Sequence, residues 1–306
     1  MNVPLVDLHR HVGGSIPMNV IYLICMRYDI PMDMDEMASV MQPGRKTFDS
    51  FLKRFDVIRR LPWDTDSIVN MADQVIADIR NEGVSYAELR FSPGRFGKPT
   101  VPAACKMFRC IADKCGIGLG LLLSTRYESR DGHELLLRLI DDEAVREQVD
   151  GIDFVADESR MDKLLVKRVV SVWQSAGKTV IMHVGESQPC DNIKFAYDIG
   201  VRRIAHGIRI TEDPQFMSIA AKDCVFYLAP TSNLETGVVS PYGMHPGRLM
   251  LDAGCQITIG TDDPSIFQTT LRNEYEIAKK MMMLTDKEVE EIKMNSVKNA
   301  IRAVPA

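Results

Sequence analysis

The segment Thr179-Val-Ile-Met-His183-Val-Gly-Glu186 begins as an apolar run typical of a buried strand and ends in polar groups. Three other segments change from apolar to polar in the same way, at Leu5–His11, Arg203–Gly207 and Gln256–Pro264. Together the four segments contain four of the six histidines in the chain, with acidic residues beside them. Imidazole and carboxylate are the ligands that zinc and similar divalent metals prefer. Histidines at the ends of strands therefore predict a metal site.

Apolar runs bounded by turn-forming or charged residues predict eight strands. They are Leu5–His9, Tyr86–Ser92, Gly118–Thr125, Ile152–Ala156, Thr179–His183, Arg203–His206, Val225–Ala229 and Gln256–Gly260. Helical periodicity lies between most of them, in Ile68–Arg80, Val101–Cys115, Leu135–Gln148, Lys163–Ser175 and His245–Ala253. Eight alternating units of this kind predict an α/β fold, a TIM-type (β/α)8 barrel. A doubly wound open sheet is the alternative, but no GxGxxG motif follows the first strand.

The connection after the first strand, roughly residues 14–85, is longer than the others and contains at least two helices of its own. We interpret it as a helical insertion on the functional face, so that residues 1–306 form one domain. Asp286–Ala303 is predicted to be an amphipathic helix. In a barrel of this type the functional residues lie at the carboxyl ends of the strands. The polar residues at those ends are His9, His11, Ser92, Asp157, His183, His206, Ser232 and Asp262.

His9 and His11 are two residues apart, so they project to the same face of a strand and can reach one point. The pair alone is a weak signal, because surface or core histidines show the same spacing. His183 and Asp262 from other strands complete a set of three histidines and one carboxylate, which leaves an open position for water, as in catalytic zinc sites. An ordinary helix cap is the alternative for Asp262. Dinuclear barrel hydrolases usually carry a carboxylated lysine at the end of the fourth strand. Here that strand ends Val155-Ala-Asp-Glu158, which contains no lysine. We therefore expect one Zn²⁺ per subunit.

Glu186 follows His183 by three residues and would lie near the metal without binding it, as expected of a general acid or base. The alternative is a solvated loop glutamate. His206 ends the sixth strand, where a buried, hydrogen-bonded core histidine is the alternative. Asp263 faces away from Asp262 because adjacent strand residues point in opposite directions, which leaves it free for the substrate. His133 is predicted to lie on the surface and His245 to cap or pack a helix.

The overall charge and composition exclude several classes of partner. The net charge is −5 and the isoelectric point is about 5.7, which argues against nucleic acid or an anionic membrane. Residues 1–20 show no signal-peptide pattern, and the seven cysteines suit a reducing compartment, so we expect a cytoplasmic protein. Pro189-Cys190 matches half of the PCxxC zinc signature of nucleobase deaminases, but position 193 is isoleucine. The oligomeric state does not follow from the sequence.

Over nearly its whole length, the chain resembles the adenosine deaminase family of metal-dependent amidohydrolases. The ordered set of matching motifs is specific, although each motif alone is not. The matching segments are Leu8-His9-Arg10-His11, Glu88-Leu-Arg-Phe-Ser92-Pro93, Gly151-Ile-Asp-Phe-Val-Ala-Asp-Glu158, His183-Val-Gly-Glu186, Ala205-His206-Gly207, Pro230-Thr-Ser-Asn233-Leu-Glu-Thr-Gly237 and Gly260-Thr-Asp-Asp-Pro-Ser-Ile-Phe267. Residues Phe48 to Phe55 resemble the family's apolar lid helix, although the spacing of Phe48, Phe51 and Phe55 suits any amphipathic helix.

The resemblance implies a reaction and a role for each site residue. Zinc bound by His9, His11, His183 and Asp262 would activate water for attack on C6 of an adenine nucleoside, and ammonia would leave. Asp262 and His206 would orient the water and take its proton, while Glu186 would protonate N1. Asp263 would bind N7, and the backbone N–H of Ala156 would meet N3. The resemblance also implies that the substrate-binding residues are His11, Gly13, Phe48, Phe51, Phe55, Ser92, Ala156 and Asp263.

Three positions depart from the family pattern. The family usually has an acid where this chain has Gly13, and in adenosine deaminases that acid contacts the 5′-hydroxyl of the sugar. Ala156 replaces a usual glycine, and Ala229 replaces a frequent cysteine. Gly13 removes a negative charge and opens space, so we expect that 5′-substituted or 5′-phosphorylated adenosines are accepted, with Arg95 or Arg160 as possible phosphate partners.

Other functions stay open at this level. The chain could deaminate free adenine or an AMP-type nucleotide. It could also be a different mononuclear amidohydrolase that cleaves amides or esters. A non-enzymatic nucleoside-binding protein is the third alternative, although such a protein would have lost at least one of Glu186, His206 and Asp262, and all three are present.

Overall fold

The computed structural model describes residues 3–33, 35, 47–95 and 100–305. The side chains of Asp49 and Arg95 lie outside the described part. Eight parallel strands form one sheet in which each strand pairs with the next in the sequence. The strands are β1 Leu5–His11, β2 Val84–Phe91, β3 Gly118–Arg126, β4 Gly151–Val155, β5 Thr179–Val184, β6 Arg203–His206, β7 Val225–Leu228 and β8 Gln256–Ile259. The predicted TIM-type barrel is confirmed, and all eight strands lie within two residues of their predicted bounds.

The last strand closes the barrel against the first at the point where the predicted metal ligands lie. The backbone N–H of Asp262 donates to the carbonyl of His9 at 2.7 Å, and that of His11 donates to the carbonyl of Asp262 at 2.8 Å. Residues more than 250 positions apart in the sequence are therefore held side by side by backbone hydrogen bonds. The closure of the barrel itself brings one carboxylate to two histidines.

The helices lie mostly between the strands, around the outside of the barrel. They are α1 Val12–Ser15, α2 Met18–Arg27, α3 Phe48–Lys53, α4 Asp56–Arg60, α5 Thr65–Asn81, α6 Val101–Cys115, α7 Arg130–Leu139, α8 Glu143–Gln148, α9 Lys163–Ser175, α10 Asp191–Asp198, α11 Pro214–Ala220, α12 Pro230–Glu235, α13 Gly247–Asp252, α14 Pro264–Phe267, α15 Leu271–Met281 and α16 Asp286–Lys298. Short 3-10 turns follow β2, β4 and β6, at Pro93–Arg95, Glu158–Arg160 and Ile208–Glu212. None of the described helices has the length and apolarity needed to cross a bilayer.

Local sequence explains where several helices begin and end. α5 begins at Thr65, where the side chain of Asp64 accepts from the N–H of Ser67, and buries a stripe that includes Ile68, Val75 and Ile79. The continuous helix predicted over Leu135–Gln148 is instead two helices, α7 and α8. The Asp142 side chain accepts from the N–H of Ala144 and so starts a new helix within the predicted one.

His133 was predicted to lie on the surface, and this prediction is wrong. Its side chain is fully buried on the inner face of α7, and its ring centroid lies 5.5 Å from that of Phe154. The helix begins at Arg130, because Ser129 accepts from the N–H of Gly132, and this start turns His133 toward the core. The predicted packing role of His245 agrees with the structure, since its ring is buried and accepts from the N–H of Gly247 at the start of α13.

The two ends of the barrel differ in chemistry. Toward one end, apolar interior residues that include Val6, Leu122 and Ile181 pack against Val297 and Ile301 from the C-terminal segment. The carboxyl ends of the strands form the other end, where the four apolar-to-polar segments meet. The helices of the insertion after β1 are α1 to α5, and residues 34 and 36–46 within this insertion lie outside the described part.

Candidate metal centre and active site

The four predicted metal ligands converge at the mouth of the barrel. Nε2 of His183 lies 3.0 Å from Nε2 of His9 and 3.3 Å from Nε2 of His11. Oδ1 of Asp262 lies 3.4 Å from Nε2 of His9 and 3.3 Å from Nε2 of His11. Burial holds the pKa of both His9 and His11 well below the usual range, so their rings are neutral at pH 7. Neutral imidazole nitrogens and a carboxylate directed at one point are the donor set that a divalent metal requires.

Acceptors behind the rings of His9 and His183 orient these rings. They hold the ring proton on Nδ1, the nitrogen that faces away from the cluster. Oδ1 of Asp153 lies 3.0 Å from Nδ1 of His183, and the guanidinium of Arg90 donates to the second oxygen of this carboxylate. Burial opposes ionisation of Asp153, but His183 and Arg90 outweigh it and lower the pKa of Asp153 to about 2. The Tyr227 carbonyl lies 3.4 Å from Nδ1 of His9. With Nδ1 protonated, the Nε2 lone pairs of His9 and His183 face the cluster.

Three site residues have left-handed backbone conformations at the carboxyl ends of strands. The φ angles are +74° at Ala156 after β4, +58° at His206 in β6 and +61° at Asp262 after β8. Such angles are uncommon outside glycine and cost on the order of 1–3 kcal/mol each. They persist here because the strand pairs on either side fix the backbone. The resulting turns direct the chain across the barrel mouth.

Glu186 is buried beside His206 and Asp262. Its Oε2 lies 3.7 Å from Nε2 of His206, and Asp262 Oδ2 lies 3.8 Å from the same nitrogen. Burial, followed by the nearby Asp262 carboxylate, raises the pKa of Glu186 well above its usual range. A carboxyl group that stays protonated near neutral pH can donate a hydrogen bond or a proton.

The loop that carries Glu186 is held by a second carboxylate, Glu158. Oε1 of Glu158 accepts from the backbone N–H groups of Glu186, Ser187 and Gln188 at 2.9–3.0 Å, and Oε2 accepts from that of Gly185 at 2.8 Å. Glu158 is itself buried. One buried carboxylate therefore fixes four successive residues of the loop.

Asp263 lines the cavity beside Asp262, and its side chain is hydrogen-bonded to that of Asp262. It is buried, and within the described ranges its Oδ1 has no hydrogen-bond partner. Burial and the adjacent Asp262 carboxylate raise the pKa of Asp263 well above its usual range. A Cβ on Gly14 would lie 1.7 Å from Oδ1 of Asp263, so only glycine at position 14 leaves room for this side chain.

A cavity of about 420 Å³ opens above these groups. All the residues that the sequence predicts to contact substrate line it, together with Glu186, His206 and Asp262; they are His11, Gly13, Phe48, Phe51, Phe55, Ser92, Ala156 and Asp263. Phe51 lies between Phe55 and Phe267, with ring centroids 5.4 and 5.2 Å apart. An aromatic wall opposite convergent polar groups is typical of a site for a planar heterocycle.

The arginines near the cavity differ from those predicted. Arg160 is exposed and does not line the cavity, and the side chain of Arg95 lies outside the described residues. Arg59 from α4 and Arg126 at the end of β3 line it instead, and each pairs with an acid of its own, Asp56 and Glu128. Sequence reasoning missed these two arginines because neither follows a recognisable motif.

Sequence reasoning also assigned no role to Asp153 or Glu158. Both belong to the segment Gly151-Ile-Asp-Phe-Val-Ala-Asp-Glu158. For Asp153 the available signal is an acid within the apolar strand β4, since a buried charge requires a partner.

Known proteins match the chain over nearly its whole length. A family model described as adenosine deaminase matches residues 4–305. A curated relative, the adenosine deaminase of Shewanella denitrificans, is 28% identical over 314 residues, which cover 98% of this chain and 94% of the relative. The structure of an amidohydrolase from Burkholderia ambifaria with bound Zn has a TM-score of 0.88 at 22% identity, and the match covers 98% of this chain and 86% of the other. The structure of Arabidopsis ADAL complexed with IMP has a TM-score of 0.84 at 21% identity, covering 98% and 92%.

Proposed function

Because the chain belongs to the adenosine deaminase family, we propose that it removes the 6-amino group of adenosine or a related adenine nucleoside by hydrolysis. The products are an inosine-type nucleoside and ammonia. The chain is a hydrolase that acts on C–N bonds of cyclic amidines, so the non-enzymatic alternative is set aside. The convergence of His9, His11, His183 and Asp262 below a cavity that Glu186 and Asp263 line carries this proposal. We also propose that residues 1–306 form one domain.

A metal cofactor fits the donor set at the barrel mouth. His9, His11, His183 and Asp262 would hold it, and three imidazole nitrogens with one carboxylate favour zinc, in a single site per chain. When bound, the ion supplies Lewis acidity that makes water nucleophilic at neutral pH. The Burkholderia ambifaria amidohydrolase of the same fold contains Zn, which supports this choice.

The residues of the chain would bind and polarise the purine. Protonated Glu186 donates to N1 and so makes C6 electrophilic, which its raised pKa permits. Protonated Asp263 donates to the lone pair of N7 for the same reason. The N–H of Ala156 meets N3, and the phenylalanines of α3 cover the ring and exclude water.

The reaction breaks one bond and forms another at C6. Asp262 and His206 face the same side of the cavity and orient the attacking water. Oxygen bonds to C6, the C6–N6 bond breaks, and the amino group leaves as ammonia with one of the two protons of the water. The proton that Glu186 gives to N1 stays on the product, and the second proton of the water restores Glu186. Because the groups are held by barrel strands and by the Glu158 loop, little reorganisation is required when charge develops.

The sugar end of the cavity favours a substituted 5′ position. At Gly13, where the family usually has an acid, a Cβ would meet only Ile58 Cγ2 at 3.5 Å, so a side chain would fit and its absence leaves open space. Two guanidinium groups, Arg59 and Arg126, line the same cavity. The Arabidopsis relative of this fold binds the 5′-monophosphate IMP. These features support 5′-substituted or 5′-phosphorylated adenosines as substrates besides adenosine.

A panel of adenine compounds tests both the proposed deamination and the proposed acceptance of 5′-substituted substrates. The loss of absorbance at 265 nm would be followed for adenosine, 2′-deoxyadenosine, adenine, 5′-methylthioadenosine and AMP. We expect turnover of nucleosides and a kcat/KM for at least one 5′-substituted compound that equals or exceeds that of adenosine. Turnover of unmodified adenosine alone would contradict the 5′ proposal, and turnover of none would contradict the function.

Two variants separate the chemistry from the specificity. Glu186→Gln should abolish turnover while the metal content stays intact. Gly13→Asp should lower kcat/KM for AMP by about 10- to 100-fold, or about 1.4–2.7 kcal/mol, because it places a negative charge at the 5′ end. Adenosine should be little affected or improved. Equal effects of Gly13→Asp on adenosine and AMP would show that position 13 does not contact the 5′ end.

A further inference from the structure

A buried hydrogen-bond chain runs from His206 away from the cavity. Nδ1 of His206 lies 3.0 Å from Nδ2 of Asn233 in α12. Oδ1 of Asn233 lies 3.2 Å from Nε2 of His245, and Nδ1 of His245 accepts from the backbone N–H of Gly247 at 3.0 Å. The three side chains are 0–1% exposed. We call His206, Asn233 and His245 the relay.

The backbone contact at one end sets the position of every proton in the relay. A backbone N–H can only donate, so Nδ1 of His245 bears a lone pair. Burial lowers the pKa of His245 to about 4, so the ring is neutral at pH 7 and its single proton is on Nε2. That proton faces Asn233, which must present its oxygen to His245 and its amide N–H to His206. Nδ1 of His206 is therefore an acceptor.

The opposite arrangement leaves two donors or two acceptors facing each other. A proton on Nδ1 of His206 would require Asn233 to turn its oxygen toward His206 and its N–H₂ toward His245. His245 would then have to accept at both ring nitrogens, which a neutral imidazole cannot do. An unsatisfied buried group of this kind costs about 1–3 kcal/mol.

We propose that Asn233 and His245 are positioning residues that hold the proton of His206 on Nε2, on the side that faces the reacting water. This inference rests on the proposed function. His206 then donates a hydrogen bond to the water and orients it, but Nε2 cannot also accept a proton from the water or bind a metal. A ring nitrogen of His206 lies within 4.8 Å of ligand atoms of His9, His183 and Asp262, and Nε2 lies 3.8 Å from Oδ2 of Asp262, so distance alone would admit His206 to the metal site. The relay excludes it.

Nuclear magnetic resonance tests the tautomer directly, without any need for turnover. The full chain would be labelled with ¹⁵N-histidine, and two-bond ¹H–¹⁵N correlations would be recorded with and without zinc, with the His206→Asn variant used for assignment. We expect His206 and His245 to show a protonated Nε2 and an unprotonated Nδ1 in both forms. A protonated Nδ1 on His206, or an Nε2 signal that shifts as a metal ligand does, would overturn the proposal.

Asn233→Asp tests the consequence for catalysis. Aspartate has nearly the same shape but no N–H to donate, so it draws the His206 proton to Nδ1. We expect kcat to fall about 10-fold or more while KM changes less than about threefold, since the water and not the purine is affected. Asn295→Asp is the matched control, because Asn295 lies in α16 and its side-chain amide donates to the Ile257 carbonyl, away from the relay.

His245 offers a test by conservative replacement. Glutamine can donate to Oδ1 of Asn233 much as Nε2 of His245 does, whereas leucine has similar bulk and no donor. We expect His245→Gln to retain most of kcat and the Nε2 proton of His206, and His245→Leu to lose both. Equal kcat values in the two variants would contradict the proposal. If the parent protein turned over no adenine compound, the proposed function would fail, while the magnetic resonance result would still decide the tautomer.

Discussion

Replacement of Glu158 by glutamine is expected to disorder the loop that carries Glu186. The carboxylate accepts four backbone N–H groups, and the amide group of Asn192 also approaches Oε2 at 3.1 Å. Glutamine keeps an oxygen at the Oε1 position but places an N–H₂ group where Oε2 accepts from Gly185 and Asn192. The N–H groups of Gly185 and Asn192 would then face the N–H₂ group of the glutamine in a buried site.

The cost follows from the number and type of these bonds. A hydrogen bond to a charged group contributes about 1.5–3 kcal/mol, roughly twice the value for a neutral pair. Glu158→Gln weakens three such bonds and replaces two with repulsive contacts, so we expect a loss of about 3–5 kcal/mol of unfolding free energy. This corresponds to a fall in Tm of about 6–10 °C for a chain of this size. A displacement of Glu186 by about 1 Å would lower kcat about 100-fold.

Thermal unfolding and steady-state kinetics on the metal-loaded protein would measure both effects. Glu147→Gln, an exposed glutamate on α8, is the matched control and should leave Tm and kcat unchanged. An unchanged Tm in Glu158→Gln would refute the view that this carboxylate holds the loop. A lower Tm with unchanged kcat would refute its link to Glu186.

Three further changes test other parts of the structure. Ala156→Gly should raise stability by about 1 kcal/mol in urea unfolding, because Ala156 has a φ of +74° that glycine adopts without strain; an unchanged or lower stability would contradict this. Asp153→Asn should weaken metal affinity about 10- to 100-fold in a competition assay with a chelator, because His183 loses the carboxylate that sets its tautomer; equal affinity would mean that the Arg90–Asp153 pair is only structural. Burial raises the pKa of Glu274 to about 7 from its ordinary value of 4.5, so the folded protein keeps this proton where the unfolded chain has lost it. As the pH rises from about 4.5 to 7, the free energy of unfolding of the parent should therefore fall relative to that of Glu274→Gln, by about 1.4 kcal/mol per pH unit. Parallel curves of unfolding free energy against pH for the two proteins would contradict this.

The strands and the placement of polar residues were predictable because both follow from local sequence. An apolar run that ends at His183 or His206 reads as a buried strand whatever surrounds it. Parallel strands then bring their carboxyl ends to one face, so the convergence of distant histidines follows from fold class alone. The structure adds the closure between β1 and β8, which places Asp262 against His9.

The supporting groups were less predictable because their roles depend on contacts between distant elements. Glu158 resembles any loop acid until the following strand is seen to place four N–H groups around it. The division of α7 from α8 depends on a side-chain cap at Asp142 that competes with continued helix. His133 was misplaced because its segment has loop-forming residues, and only the start of α7 at Arg130 directs the ring inward.

The roles of Asn233 and His245 depend on tertiary contacts of the same kind. Neither residue has a sequence pattern that predicts a proton position. The direction of one backbone N–H, at Gly247, determines it for the whole relay. A hydrogen-bond chain of this type can be deduced only after the fold has brought α12, α13 and β6 together.

Anomalous diffraction at the zinc edge, from crystals of the full chain grown with zinc, tests the metal site most directly. We expect one peak per chain, bound by Nε2 of His9, His11 and His183 and by an oxygen of Asp262 at about 2.0–2.2 Å, with Nε2 of His206 outside this range. An active protein without an ion at this point, or with the four side chains directed apart, would contradict the account of how this chain makes water reactive.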